Sequence, residues 1–508
     1  MTAQQDETRI PVIIGVGQVN DRPAEDAEAL DSRQLMEAAI RAADQDAGGG
    51  FIERIDWMGI TRQISFPSLD KTMVEGLCGA LGIAPAHAEQ SKGPNGDTPI
   101  KYLNDAANAI GEGRAQVAVI VGGEALRTAA KRPDGGGIGR NLKMPDTIPI
   151  HAKYGVRTPT EIYPFYENAG RKAWGQTLAE GQAETGVIWS RFAQVAADNP
   201  AAWLRKPISA DEIITPSASN RPIAFPYTKL TVANSSVNQG AALLVTSLAV
   251  ARAAGVPESR LIYVGKGAAA HEADEYTKIG GPSGRTGHVL DRERWNESPS
   301  MAVTLEQAIA RNGIDPQKLN HLELYSCFPC VPKMARRVLG LPADRTATVF
   351  GGLTFGGGPI GNYMAHAAAS MVEKLRVEPG DGLLFANGGF ATHNHAIILT
   401  TRPQPAGTFP QDYDCQAEAD ARRGPIPELV DGYEGPAEIE TYTVIYDREA
   451  QPKFGVVLAK MPDGRRAIAR VPAEDEAMIA FLTSGTTEPV GTTGLVVRAG
   501  EFSLWSRG

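Results

Sequence analysis

The chain has 508 residues, 42% of them hydrophobic and 21% charged, so it is long enough for two or three domains with sizeable cores. Its formal net charge of −9 argues against a general nucleic-acid binder and against a polybasic membrane anchor. No apolar run reaches the roughly 18 residues that a membrane helix needs, and the polar start MTAQQDETRI lacks a signal-peptide core. Four cysteines, Cys78, Cys327, Cys330 and Cys415, exclude a disulfide scaffold and point to a reducing cytoplasm.

Residues 10–16, IPVIIGV, form a short apolar run rich in Ile and Val, which predicts a buried strand. Helical spacing follows from Ser32 to about Ala47, then a strand at 55–60 and a helix at 70–82. The turn-rich loop SKGPNGDTP leads into a helix from Ile100 to Ile110 and a strand at 116–121. This alternation implies an α/β fold with largely parallel sheets. Residues 132–178 are irregular and aromatic, more like an inserted cap than a linker; 181–198 read as a helix, and 204–236 as a polar stretch punctuated by proline.

The α/β pattern resumes with strands near 241–247 and 261–265, separated by a helix at 248–254. A helix at 299–312, a strand at 319–324, helices at 331–339 and 360–376, and strands at 382–386 and 395–400 complete it. After Arg402 the composition changes. A segment rich in Pro, Gly and Asp precedes short strands at 437–446, 453–460, 465–471 and 493–505, with one helix near 473–483. This reads as a small β-barrel, OB-like, of the kind built from many short strands. The divisions are 1–254 with a cap at about 132–236, then 255–404, then 405–508.

Two segments share one grammar. Gly93-Pro94-Asn95-Gly96-Asp97-Thr98-Pro99-Ile100 precedes an Ala-rich helix and a strand ending Val121-Gly122-Gly123-Glu124-Ala125. Phe355-Gly356-Gly357-Gly358-Pro359-Ile360 precedes another Ala-rich helix and a strand ending Asn387-Gly388-Gly389-Phe390-Ala391. Pro99 and Pro359 suit the first helical position. The matched order argues for duplication, with two glycine loops and two helix N-termini near one central site. Such N-termini suit an oxyanion or a thioester carbonyl.

With these segments in place, the sequence resembles the thiolase superfamily over roughly residues 8–402. It is most similar to the branch near sterol-carrier-protein-type thiolases that carries an extra C-terminal domain. Ile10–Gly17 resembles the family's first strand, and Asn238-Gln239-Gly240-Ala241-Ala242 its Asn-Asp-Gly-Ala-Ala segment. Glu323-Leu324-Tyr325-Ser326-Cys327-Phe328 resembles Glu-Leu-His-Asp-Cys-Phe. Gly356–Gly361 resembles the Gly-His-Pro-x-Gly loop, and Asn387-Gly388-Gly389 the last glycine loop. The resemblance implies a duplicated thiolase fold of two α/β halves with buried helices, coenzyme A thioesters as substrates or ligands, and carbon–carbon chemistry. It implies no separate cofactor and no metal. A homodimer follows by the same resemblance, with a monomer as the alternative.

The chain departs from the family at the reacting positions. The nucleophilic cysteine falls at about Gly96, the histidine of the glycine loop at Gly358, the oxyanion residue at Tyr325, and the second cysteine at about Ala386. An acyl-enzyme cannot form without the thiolate. Tyr325, Cys327, His366 and His393 are the candidate catalytic residues. Asn95, Gly96, Asp97, Gly357, Gly358, Asn387 and Gly388 are the candidate substrate-binding residues. A packed tyrosine, structural histidines and Thr98 as a simple helix cap are the competing readings. Three functions follow: acyl-CoA carbon–carbon chemistry without an acyl-enzyme, non-catalytic acyl-CoA binding, or redox work by Cys327-Phe-Pro-Cys330, a CxxC spacing.

Overall fold

The computed structural model describes residues 6–25, 28–137, 149–272, 290 and 292–507. The strands in chain order are β1 (Pro11–Asn20), β2 (Trp57–Ile60), β3 (His87–Gln90), β4 (Val117–Ala125), β5 (Pro222–Ala224), β6 (Tyr227–Thr228), β7 (Asn238–Ser247), β8 (Ile262–His271) and β9 (His321–Leu324). They continue with β10 (Asp381–Gly388), β11 (His393–Thr400), β12 (Leu429–Val430), β13 (Gly435–Tyr446), β14 (Pro452–Lys460), β15 (Arg466–Pro472), β16 (Thr493–Ala499) and β17 (Phe502–Ser506).

One sheet has the order β3-β2-β4-β7-β1-β8-β11-β10-β9. Read outward from the β1–β8 junction, each half runs first strand, fifth, fourth, second. The third is β3 in one half. In the other, its place is marked by the bond from Leu324 N to Ala347 O (2.9 Å). The duplication legible in the two glycine segments is therefore a duplication of topology. The sheet is mixed, which corrects the expectation of largely parallel strands. β2 pairs parallel with β3 and β4, and β9 with β10, while β4–β7, β7–β1, β1–β8, β8–β11 and β11–β10 are antiparallel.

The helices Thr98–Gly111 and Tyr363–Val377 touch each other and strands of both halves. Close approach on all sides requires small residues, and Ala106, Ala107, Ala109, Ala365, Ala367, Ala368 and Ala369 are all fully buried. The second helix begins at Tyr363, so Pro359 lies in the loop before it and not at its first position. Outer helices Ser32–Ala47 and Pro299–Asn312 cover β1 with β7 and β8 with β11.

Residues 126–237 fill the connection between β4 and β7. The corresponding link between β10 and β11 is the tight turn after Gly388. The insertion holds the helices Pro159–Ala173 and Leu178–Asp198, and its residues 138–148 fall outside the described residues. It is more than a cap, because it seats the C-terminal barrel. β5 pairs with β13, Thr441 Oγ1 donates to Phe165 O (2.6 Å), and Asn168 Nδ2 donates to Tyr442 O (2.8 Å). Lys333 and Glu167, both buried and 2.5 Å apart, tie the first long insert helix to the helix Cys330–Val338.

The barrel closes in the order β13-β14-β15-β17-β16-β13, with the helix Glu476–Thr483 between its third and fourth strands. This is the OB-like arrangement. The stretch 493–505, which reads as one strand, is the hairpin β16–β17 turned at Gly500 (φ +62°).

Two core histidines make this packing pH-sensitive. His366 is fully buried against Phe350, and His395 Nε2 accepts from Asn104 Nδ2 (2.6 Å). Burial lowers each from 6.5 to about 3. Both are neutral in the fold, so their stabilisation is complete above pH 6.5 and is lost as pH falls towards 3. At pH 5 the loss is about 2 kcal/mol per histidine. Buried Glu124 and Glu323, raised to about 8 and about 7, act in the opposite sense. Urea unfolding at pH 7.5 and 5.0 should therefore show a smaller pH effect in His366→Gln and His395→Gln than in the native chain. Equal pH effects would contradict the assignment.

Candidate functional site

The residues before the helix Thr98–Gly111 set the centre of the site. Asp97, not Thr98, occupies the N-cap position, and its side chain does not cap. Its carboxyl is buried, and Oδ1 has no partner among the described residues. A buried polar atom left so is the kind that meets water or a ligand.

Gly96 is enclosed by the other half. A Cβ built there would lie 2.3 Å from Asn387 O and 2.5 Å from Tyr325 Oη. The phenol therefore stands where a side chain at position 96 would begin. Tyr325 is anchored by its backbone bond to Phe385 O (3.0 Å) and by the ring of Tyr363, edge-on at 5.8 Å. Tyr363 Oη donates to Glu323 Oε1 (2.6 Å). Burial holds the Tyr325 phenol well above the usual range, with Cys327 and Asp97 adding to it, so it is a neutral donor.

Asn387 donates Nδ2 to Asn394 Oδ1 (2.8 Å), and its own Oδ1 is buried without a partner among the described residues. A Cβ on Gly388 would lie 3.0 Å from Asp97 Oδ1 and 3.5 Å from Asn95 Cβ. Asn95, Gly96, Asp97, Tyr325, Asn387 and Gly388 are thus one cluster, as the sequence suggests. The turn beyond it is strained. Phe390 (φ +61°) and Ala391 (φ +63°) are left-handed. Arg292 donates to both of their carbonyls, and Tyr166 Oη donates to Phe390 O (2.8 Å).

The loop 356–362 forms the opposite wall. Gly357 lies against Gln239, Gly358 N donates to Asn234 O (2.8 Å), and Gly361 lies against Pro94 and Thr61. Sequence reading passed over Thr61 and gave Asn362 no role in the site. Thr61 Oγ1 and both polar atoms of the Asn362 side chain are buried without partners among the described residues. The legible signal for Asn362 was its place directly after the Gly356–Gly361 motif.

His366 bonds Gln18 Oε1 (3.0 Å) and stacks on Phe350. His393 is the register partner of Gly388, and its carbonyl accepts from Asn387 Nδ2 (3.4 Å). Its imidazole meets Thr392 Oγ1 (2.9 Å) and the ring of His271 at 4.7 Å. Cys327 and Cys330 are buried free thiols; burial pushes Cys327 up to about 12 and Cys330 well above its usual range. A redox pair needs the reverse shift. Among the described residues no cluster of His, Cys, Asp and Glu has the makings of a metal site. Cys415 is buried too, whereas Cys78 is half-exposed. Titration with a thiol reagent should therefore modify one cysteine rapidly in the native protein and all four after unfolding. Rapid native modification of Cys327 or Cys330 would contradict this.

Comparison with known proteins follows the same lines. Residues 414–501 match the family described as the additional C-terminal domain of thiolase-like protein type 1. No curated protein matches the chain. A monomeric SCP2-thiolase-like protein type 1 from Mycobacterium smegmatis superposes with a TM-score of 0.81 at 29% identity, covering 99% of each chain. An Ltp2–ChsH2(DUF35) aldolase gives 0.57 at 19% identity, over 77% of this chain and 98% of that one. Human mitochondrial 3-ketoacyl-CoA thiolase, in complex with CoA, gives 0.55 at 13% identity, over 79% and 100%. These last two share the fold. The two α/β halves have the thiolase fold shared with these structures, and the appended barrel matches the additional C-terminal domain of thiolase-like protein type 1.

Proposed function

We propose that the chain acts on coenzyme A thioesters, making or breaking a carbon–carbon bond beside the thioester without an acyl-enzyme. The observation that carries this reading is Tyr325 Oη in the space a side chain at Gly96 would need. Among the similar structures, one is described as an aldolase and one was solved in complex with CoA.

In the cleavage direction, Asp97 Oδ1 accepts the proton of a 3-hydroxyl group. The bond between the α and β carbons breaks as the β carbon becomes a carbonyl. Its electron pair passes into the thioester enolate, whose oxygen takes the hydrogen bond of the neutral Tyr325. The proton held by Asp97 then returns to the α carbon. General acid–base transfer and a pre-set donor to the developing oxyanion are the two contributions. Non-catalytic binding of an acyl-CoA is the second reading, favoured by the absence of a cysteine from the Gly93–Thr98 loop.

After incubation with acetyl-CoA, intact mass should show no acetyl adduct on the native chain. Gly96→Cys should not create one, because the new side chain collides with Tyr325; it should cost about 1–3 kcal/mol of stability. Tyr325→Phe should lower kcat on a cleavable 3-hydroxyacyl-CoA by roughly a hundredfold or more. A stoichiometric adduct on the native chain would revive covalent catalysis. Binding of CoA with no turnover of any 3-hydroxyacyl-CoA would favour the second reading.

The chain is further proposed to be a cytoplasmic monomer, since four free thiols suit a reducing compartment and the similar mycobacterial protein is described as monomeric. The sheet's exposed edge, β3, is four residues long and carries His87 and Glu89, which discourages strand pairing between copies. Among the described residues no helix is long and apolar enough to cross a membrane. Light scattering should return a mass near 54 kDa. Twice that mass, independent of concentration, would restore the homodimer.

A further inference from the structure

Two exposed guanidiniums share one indole. Arg22 stands with its Cζ 4.0 Å from the ring centroid of Trp203, and Arg127 stands 5.9 Å from it. Among the described residues neither arginine meets a carboxylate, although the chain as a whole carries a net charge of −9. Burial and the neighbouring charge of Arg127 both lower Arg22 from its ordinary value. Two like charges held together without an acid are unfavourable until an anion lies between or beside them. Arg22 spends one N–H on Trp203 O, which leaves most of its fork of donors unused.

The pair is built into the wall of the site. Trp203 N donates to Gly356 O (2.9 Å), and Leu204 N donates to Phe355 O (2.7 Å). Arg127 N donates to Val237 O (3.1 Å), one residue before β7. Asn20, two residues before Arg22, accepts from Gln239 Nε2 (2.9 Å) and donates to Ala201 O (2.8 Å). Gln239 also donates to Gly356 O (3.0 Å). The loop that starts at Gly356 ends at Gly361 against Pro94, two residues before Gly96. One short loop thus links the arginine pair to the reacting centre.

We propose that Arg22 and Arg127, on the platform of Trp203, form a phosphate-binding subsite that holds the diphosphate end of a substrate whose thioester lies at Gly96. The assignment to a coenzyme A thioester rests on the proposed function; a free diphosphate offers the same chemistry. Planar guanidiniums bind phosphate oxygens through paired N–H groups, and stacking on the indole holds the forks in place.

Calorimetry on the full chain separates the cases, with coenzyme A, pantetheine and inorganic pyrophosphate as probes against native protein and the Arg22→Gln/Arg127→Gln variant. Thermal melting confirms that the variant is folded. The expected result is a coenzyme A affinity lower by roughly 10- to 100-fold in the variant, from the loss of charge-assisted hydrogen bonds. Pantetheine binding should be unchanged, and the salt dependence of coenzyme A binding should weaken. Equal coenzyme A affinity in the two proteins would overturn the subsite. If the native chain binds pyrophosphate through these arginines but does not bind coenzyme A, the subsite stands and the thioester reading falls. If it binds pantetheine but the arginines change nothing for coenzyme A or pyrophosphate, the thioester reading stands and the subsite falls.

Discussion

The contact on which the site depends is between an atom that is missing and one that fills its place. Without a Cβ at Gly96, the loop before the helix Thr98–Gly111 can lie against Asn387 O and Tyr325 Oη. Those two partners come from the other half of the fold, so the absent side chain is also what lets the two halves close. A cysteine placed at this position would meet both a backbone oxygen, which cannot yield, and a phenol locked by Phe385 and by the ring of Tyr363. The glycine at 96 and the tyrosine at 325 are one structural fact.

The cluster around that contact is buried and polar at once. Asp97 Oδ1, Asn387 Oδ1, Thr61 Oγ1 and both polar atoms of Asn362 are buried without partners among the described residues. Each costs on the order of 1–3 kcal/mol in an apolar setting, which a simple core has no reason to accept. The cysteines show the contrast. Cys327 and Cys330 are pushed out of the reactive range by the same burial. The cluster thus holds two amides and a carboxyl with unused hydrogen-bonding capacity beside thiols held in their neutral form.

Much of this was legible in the sequence because small residues cannot hide their purpose. The alanine runs at 106–109 and 365–369 announced helices packed on every side, and the paired glycine segments announced the duplication. The helix 299–312 kept its boundaries, since Ser298 caps it and Gly313 ends it. Strand direction was less visible. A fully buried strand reads as a continuous apolar run whether its neighbour is parallel or antiparallel, so β7 and β11 could be found but not oriented. β3, HAEQ, was missed because an exposed edge strand has no apolar run to reveal it. In the site, the loop sequence places Asp97 among the substrate-binding candidates, but sequence cannot tell a cap from an orphaned carboxyl. The place of His366 after the glycine loop suggests an available imidazole; packing bonds its Nδ1 to Gln18 and stacks its ring on Phe350, with Nε2 buried and unpartnered among the described residues.

The duplicated halves have diverged most at one equivalent point, the link between the fourth and fifth strands. In the second half it is a turn so tight that Phe390 and Ala391 adopt left-handed backbones, each at a cost of about 1–2 kcal/mol. In the first half it is the insertion 126–237. The two solutions lean on each other. The insertion's Tyr166 donates to Phe390 O, and Arg292 clamps the strained carbonyls while lying over the Tyr166 ring. Beyond the turn, the same insert helix carries the barrel through Phe165 and Asn168. The C-terminal domain therefore bears, through one helix, on the turn that leads back to Asn387 and Gly388. This physical path lets an appended module hold the cluster around Gly96 in shape without entering it.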